Sequence, residues 1–270
     1  MNIVSRTCLP LAGLILVAAA PPAPRQPTER WVVNFDDAQC VAYRNYGTAE
    51  APLYLSLKVP PLGSVMQLSV MYKGSAIQPD QFDARVTIDA RPPIRTNTII
   101  FKNKGAVFRV ALINLSLAQF APVRQSKSIG VQTRGLSETF AISNMDRLFK
   151  TIDMCVKDLR SVWNVSDANG EQSKLKRRAA GDLHGLLDGE DYPGVALNQD
   201  QSGVVGFAVL VDEAGKVADC TLIETSGVAS LDVQTCILLK RRAKFTPAIS
   251  ADGKPAKDAF ISRIRWRIAG

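Results

Sequence analysis

From Trp31 to about Ile142, apolar and polar residues alternate in short runs, and that period of two restricts the first half of the chain to antiparallel strands. Leu53, Leu55 and Leu57 form one such row; Met66, Leu68, Val70 and Tyr72 a second; Val86 and Ile88 a third; Phe108, Val110 and Leu112 a fourth. Pro and Gly break the runs apart. Near Asn144 the period changes. Met145, Leu148, Phe149, Ile152, Val156, Leu159 and Trp163 recur at helical spacing, and Ser143 with Asp146 three residues on has the form of an N-cap with its acidic partner. An amphipathic helix is therefore expected to close a β-rich domain spanning 31–163. Residues 164–190 are polar and charged without an apolar face, and are expected to form a linker with at most one helical turn.

The chain opens MNIVSRTCLPLAGLILVAAAPPAP: Arg6 in a short lead, an apolar run from Leu9 to Ala20, then small residues and prolines. This predicts a secretory signal peptide over 1–24. The run of about a dozen residues is shorter than the roughly 20 that cross a bilayer as a helix. The expected location is periplasmic, with an uncleaved inner-membrane anchor facing the periplasm as the alternative. The net charge of +8 then suits anionic lipopolysaccharide, phospholipid and cell-wall polymers rather than nucleic acid. The basic runs at 174–178 and 240–244 read as solvated faces.

With Cys8 in the leader, Cys40, Cys155, Cys220 and Cys236 remain, an even number for an oxidising compartment, with three pairings open. No C-x-x-C spacing occurs, so neither a thioredoxin-like motif nor a paired-thiolate zinc knuckle has its usual form. Cys40 lies in the first strand region and Cys155 on the flank of the helical stripe. A bridge between them would tie the start of the domain to its end. His184 stands beside Asp182 and Asp188 in the linker, a poor ligand set. No metal or cofactor is expected. G-x-S-x-G, H-E-x-x-H and Walker patterns are absent from the sequence, the Gly203 to Gly206 spacing is too weak to cradle phosphate, and the Asp36-Asp37 and Glu190-Asp191 pairs read as solvated. The expectation is a protein that is not an enzyme.

The remainder, 191–268, alternates again. A strand from Val204 to Val211, a turn at Asp212–Gly215 and a strand from Val217 to Glu224 form a hairpin. A helix follows, with Ser230 as its cap, Asp232 near its positive end and Lys240, Arg241 and Arg242 near its negative end, stopped by Pro247. In the final strand Phe260, Ser262, Ile264, Trp266 and Ile268 share one face, and Ile261, Arg263, Arg265 and Arg267 the other. The fold class is α+β: a β-rich N-terminal domain closed by a helix, then a small strand-strand-helix-strand domain.

Tyr192-Pro193-x-x-Ala196, Gly203, Gly206, Asp212 with Gly215 and Val217, Thr225-Ser226-Gly227, Leu231-Asp232, Arg242 to Phe245, Pro247-Ala248, Gly253 and the closing strand together resemble the C-terminal domain of TonB energy transducers, over about residues 190–268. Within that arrangement Cys220 alternates with Ala218 and Leu222 on the face the helix covers, and Cys236 groups with Leu239 and Ala243 on one helical face, so these two thiols are expected to meet. A staple there argues against an exposed redox pair. The resemblance implies binding of an extended segment of an outer-membrane TonB-dependent transporter or a related secretion channel, by strand addition to the edge formed by Phe260, Ile261, Arg263, Ile264, Arg265, Trp266 and Arg267. The arginine row faces either an acidic partner or solvent, where it would deter promiscuous pairing. Energy transducers as a family carry an N-terminal membrane helix and a long Pro-rich spacer. Here a short leader and a folded domain stand instead, which points to a binding module, with an anchored transducer as the alternative. Peptidoglycan and a second copy of the chain are the alternative partners of a scaffold role.

Overall fold

The computed structural model describes residues 23–74, 80–102, 108–165 and 175–268. All but the last two residues of the expected signal peptide, and part of the expected linker, lie outside the described residues. The fold is α+β.

The N-terminal domain contains β1 (Val32–Phe35), β2 (Cys40–Asn45), β3 (Leu53–Val59), β4 (Val65–Lys73), β5 (Asp80–Ile88), β6 (Ile94–Lys102), β7 (Phe108–Ser116), the short α1 (Leu117–Phe120), β8 (Ser128–Thr133), β9 (Leu136–Ala141) and α2 (Met145–Val162). Its strands form one nine-stranded sheet in the order β1-β2-β3-β4-β7-β6-β5-β8-β9, antiparallel throughout. The sheet curls until its two ends nearly meet, and residues 25–28 bridge the gap. Arg25 N–H donates to Thr139 O at 2.6 Å and Thr28 N–H to Asn45 O at 3.0 Å, joining β9 to β2. Beside them Tyr46 Oη donates to Ala141 O at 3.0 Å.

Alternation explains the core. Leu53, Leu55, Leu57, Leu68, Val70, Ile113 and Leu115 point inward from their strands, and α2 closes the curl with Met145, Leu148, Phe149 and Ile152. The helix does not start as its sequence suggests. Its N-cap is Asn144, in the left-handed region at φ 59°, and no side chain caps it. Ser143 is occupied elsewhere, its Oγ accepting from Arg44 Nη1 at 3.2 Å.

The stretch expected as linker contributes β10 (Leu175–Arg177) and β11 (Ala180–Gly181), both added to the second domain. After these come α3 (Gly194–Asn198), β12 (Gly203–Val211), β13 (Val217–Glu224), α4 (Ala229–Arg242), β14 (Phe245–Thr246), β15 (Ala248–Ser250), β16 (Pro255–Ala256) and β17 (Asp258–Trp266). The central sheet has the order β13-β12-β17, all antiparallel. Val205, Phe207, Val209 and Val211 pack one of its faces against Leu231, Leu238 and Leu239 of α4. Ala179 and Leu186, from the expected linker, are buried in the same core.

The other face of the sheet meets the N-terminal domain. Leu210 and Ala259 pack on Cys40, Cys155, Leu159 and Trp163. Asp219, nearly buried on β13, accepts Lys58 Nζ of β3 at 2.6 Å and Lys240 Nζ of α4 at 2.8 Å. At Gly63, whose φ is +94°, an added Cβ would stand 2.7 Å from Leu222 O, so both backbone conformation and close approach require glycine there.

The cap of α4 comes from across this interface. Helix and loop place Val228, not Ser230, at the N-cap. Ala229 N–H instead donates to Asn97 Oδ1 at 2.7 Å and Ser230 N–H to Gln81 Oε1 at 2.9 Å, while Asn97 Nδ2 donates to Gly227 O at 2.7 Å. Two amide side chains of β5 and β6 thus satisfy the helix donors that a local Ser, Thr or Asp usually satisfies. The helix also ends at Arg242, before Pro247, because Phe245 and Thr246 leave it to pair with β11.

Candidate strand-docking edge

Among the described residues β17 pairs with β12 alone, so its other side is a sheet edge there. Two contacts fix which backbone groups face outward. Asn164 Nδ2 donates to Lys257 O at 2.8 Å and Arg178 Nη2 to Ala259 O at 3.3 Å, both from outside the sheet. Backbone direction alternates along a strand. Ile261, Arg263 and Arg265 therefore turn their N–H and C=O groups away from β12, and they continue past the two capped carbonyls as an edge unpaired among the described residues.

Side chains alternate with the same period. Ile264 and Trp266 are buried toward α4, and Phe260 is half-buried with its ring 5.0 Å from that of Phe245. Trp266 is held by Nε1 donating to Thr235 Oγ1 at 2.9 Å and by edge contact with Tyr192 at 5.3 Å. On the opposite face Ile261 is 56% exposed, and Arg263, Arg265 and Arg267 are exposed, the last just beyond the strand's end. The expected row is thus continuous along the edge.

The upstream end is anchored by Asp258, which sequence reasoning passed over. Its carboxylate is fully buried and accepts Arg178 Nε at 2.8 Å, Arg178 Nη2 at 2.7 Å, Ala179 N–H at 2.7 Å and Ala259 N–H at 2.7 Å. Arg178 belongs to a basic run that reads as a solvated face, and only the fold reveals its partner.

Both cysteine pairs are bridged: Cys40–Cys155 and Cys220–Cys236, with Cα separations of 6.0 and 5.5 Å. The second joins β13 to α4, as alternation and helical spacing place the two thiols. His184, the lone histidine, has its own N–H donating to Asp182 Oδ1 at 2.8 Å in a turn.

Behind the edge, the Thr225-Ser226-Gly227 turn is organised by Asp232. Its carboxylate accepts Ser226 N–H and Ser226 Oγ, both at 2.8 Å, and Thr225 Oγ1. Burial pushes the Asp232 carboxyl above its usual value of 3.8, outweighing the opposing effect of its donors on Thr225, Ser226 and Asn114. A raised carboxyl takes up a proton on folding, so its contribution to stability grows as pH falls from the raised value toward 3.8 and is lost as pH rises. Wild type should therefore gain stability relative to Asp232→Asn as the pH is lowered from 7 toward about 4. Urea midpoints across that range measure this; a constant difference would remove the assignment.

With this geometry in place, the comparison with protein families is decisive for the second domain. Residues 189–268 match the family of the Gram-negative bacterial TonB protein C-terminal. No curated protein matches the chain. The match begins downstream of β10 and β11, although Leu175 of β10 and the neighbouring Ala179 share the core of the TonB-like domain. Its motif residues have structural work: Tyr192 packs on Trp266, Asp232 holds the turn, and Arg242 pairs with Asp191. A TonB-type domain and two disulfides fit a periplasmic setting. Among the described residues no helix is long and apolar enough to cross a membrane.

Proposed function

We propose that the protein is an exported, periplasmic binding module, not an enzyme, whose TonB-like domain engages an outer-membrane TonB-dependent transporter by strand addition along β17. The observation that carries this is the open edge of Ile261, Arg263 and Arg265, in a domain matching the TonB C-terminal family. Main-chain bonds supply affinity in such pairing and alternate side chains supply selectivity. The partner strand's neighbours on one face are Arg263 and Arg265, which favours acidic residues two apart in the bound segment. A related secretion channel presenting the same kind of segment would serve the same edge.

The test separates main chain from side chain. Arg263→Pro removes an outward N–H while leaving the pairing with β12 intact, as proline is tolerated on the open side of an edge strand. Arg263→Ala keeps the N–H and removes the charge. Titration with peptides from transporter plug regions should show at least a ten-fold loss for Arg263→Pro, roughly 1.4 kcal/mol or more, and a smaller loss for Arg263→Ala. Equal effects of the two, or no effect of proline, would exclude pairing at this edge.

A further inference from the structure

A cleft of about 570 Å³ opens on the N-terminal domain between β1, the chain at Arg30 and Trp31, and the start of α2. Arg30, Arg44 and Arg147 line it, and none of its lining residues is acidic. Arg44 is only 8% exposed. Its Nε donates to Glu29 O at 2.7 Å and its Nη1 to Ser143 Oγ at 3.2 Å, and its guanidinium lies over the rings of Trp31 and Tyr46. All of these partners are uncharged. Among the described residues, none of the three arginines has a carboxylate within ion-pair distance. A buried charge without a counter-ion is costly, and here the other charged residues lining the cleft carry the same sign.

Two further features shape the space. Among the described residues Trp31 Nε1 is buried without a hydrogen-bond partner. Trp31, Val33, Phe35 and Leu148 supply an apolar wall beside the arginines, with Phe35 53% exposed. We infer that this cleft is an anion site for a phosphate ester carried on an apolar body. Guanidinium forks match phosphate oxygens in pairs, and three cations are better balanced by a dianionic group than by a single carboxylate. The apolar wall accounts for the body. The phosphate could be carried by a lipid headgroup or by a soluble ester.

The test uses the full chain. Calorimetric titration with phenyl phosphate and with inorganic phosphate compares the two anions with and without an apolar body. Co-sedimentation with phosphatidylcholine vesicles, with and without phosphatidic acid, distinguishes the two sources. Arg30→Gln/Arg147→Gln changes exposed side chains and spares buried Arg44, whose loss could unfold the domain. Arg91→Gln/Arg95→Gln removes equal charge from the β5–β6 turn and the start of β6. Phenyl phosphate should bind more tightly than inorganic phosphate, lose at least ten-fold in the first double variant and remain unchanged in the second. Vesicle binding that depends on phosphatidic acid and on Arg30 and Arg147 assigns a lipid headgroup; binding of the soluble ester alone assigns a free ester. No binding of any probe, or equal losses in both double variants, overturns the site.

Discussion

Replacing Asp258 by alanine should destabilise the protein by about 2–4 kcal/mol, a large share of the 5–15 kcal/mol by which a domain is ordinarily stable. The carboxylate is fully buried and accepts two backbone N–H groups, of Ala179 and Ala259, in addition to the Arg178 fork. Arg178, half exposed, can return to water; the two amides are left without an acceptor, and that is where most of the cost lies. Asp258→Asn preserves shape and one acceptor oxygen, so it should lose less. Denaturant titration of both variants checks the order. A midpoint for Asp258→Ala within experimental error of wild type would mean that water or a neighbouring carbonyl replaces the carboxylate.

Converting Cys40 and Cys155 together to serine should cost about 4–5 kcal/mol, because the bridge closes a loop across a sequence separation of 115. The corresponding change at Cys220 and Cys236, with a separation of 16, should cost about 3 kcal/mol. The first bridge also lies against Leu210 and Ala259 of the TonB-like domain, so its loss loosens the interface between domains as well as the domain it staples. Unfolding of variants that keep a single tryptophan, either Trp163 in the interface cluster or Trp266 in the TonB-like core, should report this by fluorescence. If the two probes shift together on losing Cys40–Cys155, the interface couples the domains; a shift confined to Trp163 would show that they unfold separately.

Alternation and helical spacing carried the class of nearly every long element, because a half-buried strand and an amphipathic helix each imprint their own period on the chain. The same logic placed Cys220 and Cys236 on facing surfaces. What escaped was non-local or too short to have a period. β10 and β11, of three and two residues, cannot display alternation, and their neighbouring Leu183 and Leu187 looked isolated among charges. Ser143 and Ser230 have the chemistry of caps, yet one is held by Arg44 and the other sits inside the first turn of α4, whose donors are met by Gln81 and Asn97 from another domain. No local pattern can announce a partner 99 to 149 residues away. For the edge, the arginine row was visible as alternation, whereas its register and its buried anchor at Asp258 required the pairing with β12 and the approach of Arg178.

The interlock between the two domains has a mechanical consequence. A tug on a segment paired along β17 would load the β17–β12 and β12–β13 ladders in shear, so that their hydrogen bonds share the tension instead of peeling one at a time. From β13 the load divides. One branch enters α4 through the Cys220–Cys236 bond, and the other crosses through Asp219 to Lys58 and so into the nine-stranded sheet. The amide clamps of Gln81 and Asn97 on the start of α4 rejoin the two branches. The N-terminal domain would then act as a buttress: force applied at the edge would be spread over a structure much larger than the small domain that receives it.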